Sequence, residues 1–337
     1  MSISNTKFAV YKLLFITFLL IITGCTNNSI DETTNTKNSL INLLSNGAVL
    51  KSEDGNYNLY NYENGVFTKV ASNNIITSFN KKNSVYVEYE DNNNYIVWNN
   101  KKIKVKDDNY EGLKLSPDGK YLSYFIDDNG LKLKIYDILN NKYVQINSKT
   151  LISGTLYDWY NDDEIIYYGI NSSKINGLFT YNLKDKKEKN IYEIDDGFVT
   201  FLKCTKGNIV FLKIDNENNK KFLALNKNSL AVNCTSDEIE NIYDVAEDNL
   251  NFYLTGSAYG NAESLYLLNS SQLKRLVFDF PSLVICEKGL RIDNNKNILF
   301  IGCDDFCGEE KIYRYNIDGS IELIGDESVE YRFVDCN

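Results

Sequence analysis

The sequence predicts an all-β fold, a seven-bladed β-propeller of four-stranded antiparallel blades closed by the C-terminal strand. Three observations predict it. The 337-residue chain is rich in tyrosine (25) and phenylalanine (17) and has only 2 prolines, a composition that favours strands. A unit of short strand, polar turn and apolar strand recurs along it. The first unit lacks a first strand, and the C-terminal strand can supply it.

Residues 1–25 have the pattern of an export signal. Lys7 and Lys12 precede the apolar segment Leu13–Ile22, which is too short to span a membrane stably. Ile22-Thr23-Gly24-Cys25 follows and resembles a bacterial lipoprotein signal, in which the cysteine becomes the lipid-modified first residue. An ordinary secretory signal with an incidental cysteine is the alternative.

The domain boundaries follow from that signal and from the repeats. We predict a signal peptide over residues 1–24, a lipidated Cys25 with a flexible tether over 25–45, and a propeller over 46–337. The lipid would anchor the chain on the extracytoplasmic side of the cell membrane.

The repeat is clearest in the segment 113–138. A short strand ends at Ser116, the turn Pro117-Asp118-Gly119 follows, and Tyr121–Ile126 forms an apolar strand. The segment Leu290–Gly302 aligns with it without a gap. Seven such apolar strands occur at spacings of 36 to 47 residues, which is typical of propeller blades.

The predicted strand positions within each blade agree with this architecture. Second strands such as Ile165–Tyr168 are apolar on both faces, as expected of a strand packed between neighbouring sheets. Fourth strands carry edge lysines, for example Lys102 and Lys104, which discourage sheet-to-sheet aggregation. A large β-sandwich or two β domains is the alternative, and the regular spacing favours the propeller.

The two ends of the repeat region predict how the ring closes. The first unit, from about Asn46, begins with its second strand, and Glu330–Asp335 looks like a first strand without partners. We predict that this C-terminal strand completes blade 1 and removes an exposed edge. The tether then leaves from the face that carries the turns between first and second strands.

The turn Ser116-Pro117-Asp118-Gly119 before an apolar strand resembles the hallmark of the WD40-like (PD40) repeat of TolB-type propellers. Ile292–Lys296 is a degenerate copy of it. The resemblance implies the propeller fold over about 46–337. It implies function only weakly, since such propellers serve many roles, with a structural part in envelope assembly among them.

Composition excludes several kinds of chemistry. The chain has no histidine, which removes Ser-His and Cys-His nucleophile systems and histidine metal sites. It lacks a GxSxG motif, a glycine-rich phosphate loop and an EF-hand, so we predict no catalytic residue, metal or cofactor. The net charge of −10 disfavours nucleic acid as a partner.

The enzymatic alternative is a glycosidase or lyase with paired channel-facing carboxylates.

Acidic residues concentrate in the loops between blades and between second and third strands, which share one face. The predicted binding residues there are Asp107, Asp108, Tyr110, Asp195, Asp196, Asp237, Glu238 and Tyr259. For Tyr110, packing in the core is the alternative. The opposite face is richer in lysine. We therefore expect a monomeric binding scaffold whose basic face lies toward anionic lipid and whose acidic face binds a cell-envelope protein or a cationic ligand.

Six cysteines remain besides Cys25, and an even number in an exported chain suggests disulfides. Cys303 and Cys307 flank one predicted loop and form the candidate disulfide pair. Cys204 and Cys234 are predicted on the first and fourth strands of one blade, too far apart to bridge.

Overall fold

The computed structural model describes residues 43–71, 74–107, 109–270, 272–304 and 308–336. Nearly all of the regular structure in these ranges is β-strand, with one short 3-10 helix at Cys286–Lys288. Within the same ranges, no helix is both long enough and apolar enough to cross a membrane.

The strands form seven sheets, which are the seven predicted blades, and within each blade neighbouring strands run antiparallel. Blades 1 to 3 contain β1 (Val49–Glu53), β2 (Asn56–Glu63), β3 (Val66–Lys69); β4 (Ile75–Asn80), β5 (Val85–Glu90), β6 (Asn93–Trp98), β7 (Lys101–Lys104); β8 (Tyr110–Leu115), β9 (Tyr121–Asp127), β10 (Leu131–Asp137), β11 (Lys142–Val144). Blades 4 and 5 contain β12 (Thr150–Asn161), β13 (Glu164–Asn171), β14 (Asn176–Asn182), β15 (Lys187–Glu193); β16 (Phe198–Cys204), β17 (Asn208–Ile214), β18 (Lys220–Asn226), β19 (Val232–Ser236). Blade 6 contains β20 (Ile239–Asp248), β21 (Asn251–Ala258), β22 (Ser264–Asn269) and β23 (Gln272–Arg275). Blade 7 contains β24 (Leu283–Val284), β25 (Leu290–Ile292), β26 (Ile298–Cys303), β27 (Lys311–Tyr315) and β28 (Ile321–Leu323). The C-terminal segment contains β29 (Tyr331–Phe333) and β30 (Asp335–Cys336).

Apolar side chains pack between every two neighbouring blades. The described residues form seven such clusters, and each combines side chains of two consecutive blades. One of them joins blade 7 to blade 1 through contacts that include Leu299, Val49 and Tyr62. The second strands lie inside these layers, as in β26, where all six residues are buried. A ring of blades confirms the propeller and excludes the sandwich.

The C-terminal strand closes the ring as predicted. β29 pairs antiparallel with β1, with Phe333 opposite Val49 and Tyr331 opposite Lys51, and so completes blade 1. The sequence did not predict the next step. β30 continues from β29 and pairs in parallel with β4 of blade 2, with Asp335 opposite Ser78. The last segment of the chain therefore joins blade 1 to blade 2.

The described chain begins on the face that carries the turns between first and second strands. Asn46 donates from Nδ2 to the carbonyl of Ile292 in blade 7, at 2.6 Å. Ser45 donates from its backbone nitrogen to Asn61 Oδ1 in blade 1, at 2.8 Å. This is the face from which the tether is expected to leave.

Side-chain hydrogen bonds hold the Ser-Pro-Asp-Gly turn between β8 and β9. Ser116 Oγ donates to Asp118 Oδ1 at 2.9 Å and accepts from the backbone nitrogen of Tyr121 at 3.0 Å. Asp118 also accepts from the backbone nitrogen of Lys120 at 3.1 Å. These short side chains satisfy backbone donors at the turn, which explains the motif.

Candidate functional site

The first strands of the blades surround a central channel with a cavity of about 820 Å³. Five of them, β4, β8, β12, β16 and β20, carry a bulge in their pairing with the second strand. In blade 7 the first strand is split into β24 and β25 around the 3-10 helix. A bulge bends a strand and re-aims the side chain that follows it, so these irregularities direct side chains toward the channel.

Charged side chains of alternating sign follow one another around this channel, and we call them the charge ring. From blade 3 to blade 7 and then to β30, its members are Lys114, Asp158, Lys203, Asp244, Arg291 and Asp335. Neighbours pair across the blade boundaries. Lys114 Nζ lies 3.1 Å from Asp158, Lys203 Nζ lies 2.5 Å from Asp244, and Arg291 Nη2 lies 2.6 Å from Asp335.

Two aspartates of the charge ring each connect three blades. Besides the lysine of the preceding blade, Asp158 accepts from the backbone nitrogen of Cys204 in the following blade, at 2.7 Å. Asp244 accepts in the same way from the backbone nitrogen of Leu290, at 3.1 Å. Burial alone would raise the pKa of Asp244, but the charges of Lys203 and Arg291 outweigh it and lower that pKa.

This electrostatic arrangement does not favour the glycosidase alternative. A carboxyl that protonates a leaving group needs a raised pKa. Among the described carboxylates with a resolved shift, including Asp107, Asp118 and Asp244, the pKa is lowered in every case. Within the described ranges, no three acidic or cysteine side chains come close enough to hold a metal ion.

The charge ring was not predicted from the sequence, although its signal was present there. In the aligned repeats, Lys114, Asp158 and Lys203 each lie near the end of a first strand, before the turn. Comparing this position across the repeats would have shown the alternation of sign. Asp335 could not have been found in this way, because it reaches the channel only through the parallel pairing of β30.

The predicted acidic residues fall into two groups. Two of them already have a lysine partner: Asp107 accepts from Lys134 Nζ and from Tyr124 Oη, and Asp237 lies 3.7 Å from Lys221 Nζ. The remaining described members, Asp195, Asp196 and Glu238, have no lysine or arginine partner within 4 Å among the described residues. Asp108 lies outside the described residues, as do Cys25 and Cys307, so lipidation and the Cys303–Cys307 pair remain predictions.

The two predicted aromatic residues differ in their surroundings. Tyr259 is 48% exposed, and its backbone nitrogen donates to the carbonyl of Glu238 at 3.0 Å, which brings these two predicted residues together. Tyr110 instead packs on the core between blades 2 and 3, with its ring 5.8 Å from that of Tyr124. Its surroundings match the core alternative.

Two exposed aromatics that the sequence analysis did not single out lie in the loop before blade 7. Phe278 is 60% exposed and Phe280 is 49% exposed. A pair of phenylalanines flanking Asp279 in an interblade loop is visible in the sequence and was the available signal. We call Asp195, Asp196, Glu238, Tyr259, Phe278 and Phe280 the acidic rim, because all six lie in loops on the same face of blades 5 to 7.

Comparisons with known proteins support the fold. No protein-family model and no curated protein sequence matches the chain. Among solved structures, the β-propeller domain of the Trilobed protease from Pyrococcus furiosus is 13% identical with a TM-score of 0.52, over 83% of this chain and 93% of that one. A quinonprotein alcohol dehydrogenase-like protein from Bacteroides thetaiotaomicron is 13% identical with a TM-score of 0.54, over 86% and 79%.

TolB from Acinetobacter baumannii is also among the structural neighbours, at 10% identity and a TM-score of 0.43 over 85% of this chain and 80% of that one. The chain spans 45% of the length of dipeptidyl peptidase 4 from Porphyromonas gingivalis, another neighbour. At these identities the likeness shows the propeller fold alone.

Proposed function

We propose that this chain is a lipoprotein anchored through Cys25 on the extracytoplasmic side of the cell membrane, and that its propeller is a binding scaffold. In this proposal the acidic rim binds a cationic partner, such as a lysine-rich segment of a cell-envelope protein. The observation that carries it is the combination of unpaired carboxylates with exposed aromatic rings on one face of blades 5 to 7.

The chemistry of the acidic rim fits a cation. Carboxylates without a lysine or arginine partner attract positive charge and speed its association, whereas Asp107 and Asp237 already have lysine partners. The exposed faces of Tyr259, Phe278 and Phe280 add cation–π contacts to an ammonium or guanidinium group. Arg275 already lies 5.3 Å from the ring of Phe278, which illustrates this contact within the chain.

A fluorescent nonalysine peptide tests the proposed rim by anisotropy at low ionic strength. We expect the triple variant Asp195→Asn, Asp196→Asn, Glu238→Gln to weaken binding at least tenfold, and added salt to weaken it in the wild type. The matched control neutralises Asp54, Asp91 and Asp127, which lie at the connections between second and third strands of blades 1 to 3, on the same face. Equal weakening in both triple variants would show that net charge alone attracts the peptide, and would contradict a localised rim.

Anchoring has its own test. The full chain, expressed in a bacterial host with an alkyne-tagged palmitate, should incorporate the label and sediment with membranes, and Cys25→Ser should do neither. Labelling that persists in Cys25→Ser, or a wild-type chain that is never labelled, would overturn the lipoprotein part of the proposal without affecting the rim.

A further inference from the structure

In the charge ring, the aspartate oxygens already accept hydrogen bonds, whereas the lysine ammonium groups have N–H donors that the described residues do not use. Asp158 and Asp244 are 14% and 15% exposed, and both oxygens of each already accept from a lysine or from a backbone nitrogen. The side chains of Lys114 and Lys203 are more open, at 38% and 34% exposed. An ammonium group has three donors. Lys203 uses one of them on Asp244, and Lys114 uses two, on Asp158 and on the carbonyl of Tyr157.

Two further buried polar side chains line the cavity. Trp159 and Ser78 both line it and are 5% and 4% exposed. Neither the indole nitrogen of Trp159 nor the hydroxyl of Ser78 has a hydrogen-bond partner among the described residues. Because an indole N–H is a donor only, the Trp159 side of the channel has a buried donor without an acceptor.

The unused donors concentrate at blades 3 to 5. Lys227 enters the same cavity from blade 5, and its Nζ donates to the carbonyl of Tyr160 at 3.0 Å. Burial raises the pKa of the Cys204 thiol to about 12, and Lys227 and Lys114 both lie close enough to oppose that rise. These contacts place cations from blade 3 and blade 5 around one part of the cavity.

We propose that the channel binds a small molecule bearing a carboxylate or phosphate group, held at blades 3 to 5 by Lys114, Lys203 and Lys227. A cavity of about 820 Å³ is within the range of small-molecule sites, and charge-assisted bonds from several ammonium groups suit an oxyanion. Asp335, 62% exposed, lies on the blade 2 side of the ring, where its charge also acts on Lys114. This site is separate from the acidic rim and does not depend on it.

Calorimetric titration of the purified chain with inorganic phosphate and with citrate tests the site, and spermidine serves as a cationic probe. We expect at least one of the two anions to bind with one-to-one stoichiometry. Lys203→Met should weaken that binding at least tenfold, which corresponds to about 1.4 kcal/mol. Spermidine binding should be the same in Lys203→Met as in the wild type, which separates this site from the proposed rim.

Two more variants keep the test informative if Lys203→Met is destabilised. Lys227→Gln removes a cation that no described carboxylate pairs with, and Trp159→Phe removes the indole donor while keeping a ring in the core. Both should weaken anion binding. Lys132→Gln is the matched control, because it removes the same charge outside the channel, in a pair with Asp128. No anion binding at 10 mM, about the top of a practical titration, or equal weakening by Lys132→Gln would overturn the proposal.

Discussion

Glu330 shows at the level of one residue how the closing segment is held. Its carboxylate accepts from Arg332 Nε at 2.7 Å, from Lys288 Nζ at 3.1 Å and from Tyr57 Oη. The bond from Arg332 is the main reason that the pKa of Glu330 falls from 4.5 to about 2. A lowered folded-state pKa stabilises the fold above the unfolded-state value, and the stabilisation is lost as the pH falls toward 2.

We therefore expect Glu330→Gln to lower the free energy of unfolding by about 2 kcal/mol at pH 7. The difference from the wild type should shrink below about pH 4.5 and vanish near pH 2. Urea unfolding at several pH values measures it. Asp128→Asn, in an exposed pair with Lys132, is the control and should change stability little at any of them. A deficit in Glu330→Gln that is independent of pH would show that packing, and not the charge, is responsible.

Residue types indicated where charges lie along the chain but not which of them meet. The carboxylates of the predicted face follow from strand order, and Tyr259 follows from its position in a turn. That Lys134 neutralises Asp107 depends on the orientation of two side chains across β10 and an interblade loop, and local sequence does not encode this. The core position of Tyr110 likewise depends on a neighbouring blade.

At the level of the element, the Ser-Pro-Asp-Gly turn is where sequence and structure agree most closely. Gly119 has a φ of +71°, and a Cβ there would lie 2.8 Å from Cγ of Asn80 in the neighbouring blade. Asn80 donates from Nδ2 to the carbonyl of Pro117 at 2.8 Å, so its side chain cannot move away without losing a bond. The turn therefore sets the packing between blades 2 and 3 as well as the hairpin.

We expect Gly119→Ala to destabilise the fold by about 3 kcal/mol, since it combines an unfavourable φ with a clash. Gly55→Ala is the matched control, because Gly55 has a φ of +78° and open space around its Cβ position. The backbone cost alone applies there, about 1 kcal/mol. Thermal and urea unfolding of the two variants give the comparison. Equal losses would show that the contact with Asn80 does not matter.

The bulged first strands show where prediction from pattern stops. Apolar second strands were recognised because each is buried on both faces, which leaves a continuous apolar run in the sequence. A bulge leaves no such run. Tyr157 and Ile152 of β12 pair with residues only two apart on β13, so the segment between them is extra, and nothing in its composition marks it as such. The charge ring depends on these irregularities, which is why its geometry required the structure.

For the whole molecule, the closing segment makes a ring out of a row of blades. Tyr331 and Phe333 fill the cluster between blades 7 and 1, and Val334 fills the cluster between blades 1 and 2. Burying three such side chains contributes on the order of 6 kcal/mol, which is comparable to the total stability of many domains. Strand pairing adds to this, because β1 and the channel side of β4 both find partners in the same segment.

We expect a chain that ends at Glu330 to lose its single cooperative unfolding transition and to self-associate through the uncovered edge of β1. Scanning calorimetry and size-exclusion chromatography with light scattering measure the two effects. Adding a synthetic peptide with the sequence of residues 331–337 should restore a monomer, since it can pair again with Val49, Leu50 and Lys51 of β1.

Phe333→Ala, which keeps the backbone pairing, should melt earlier by several degrees but remain monomeric. A truncated chain that stays monomeric and melts with the wild type would mean that the blades hold together without closure.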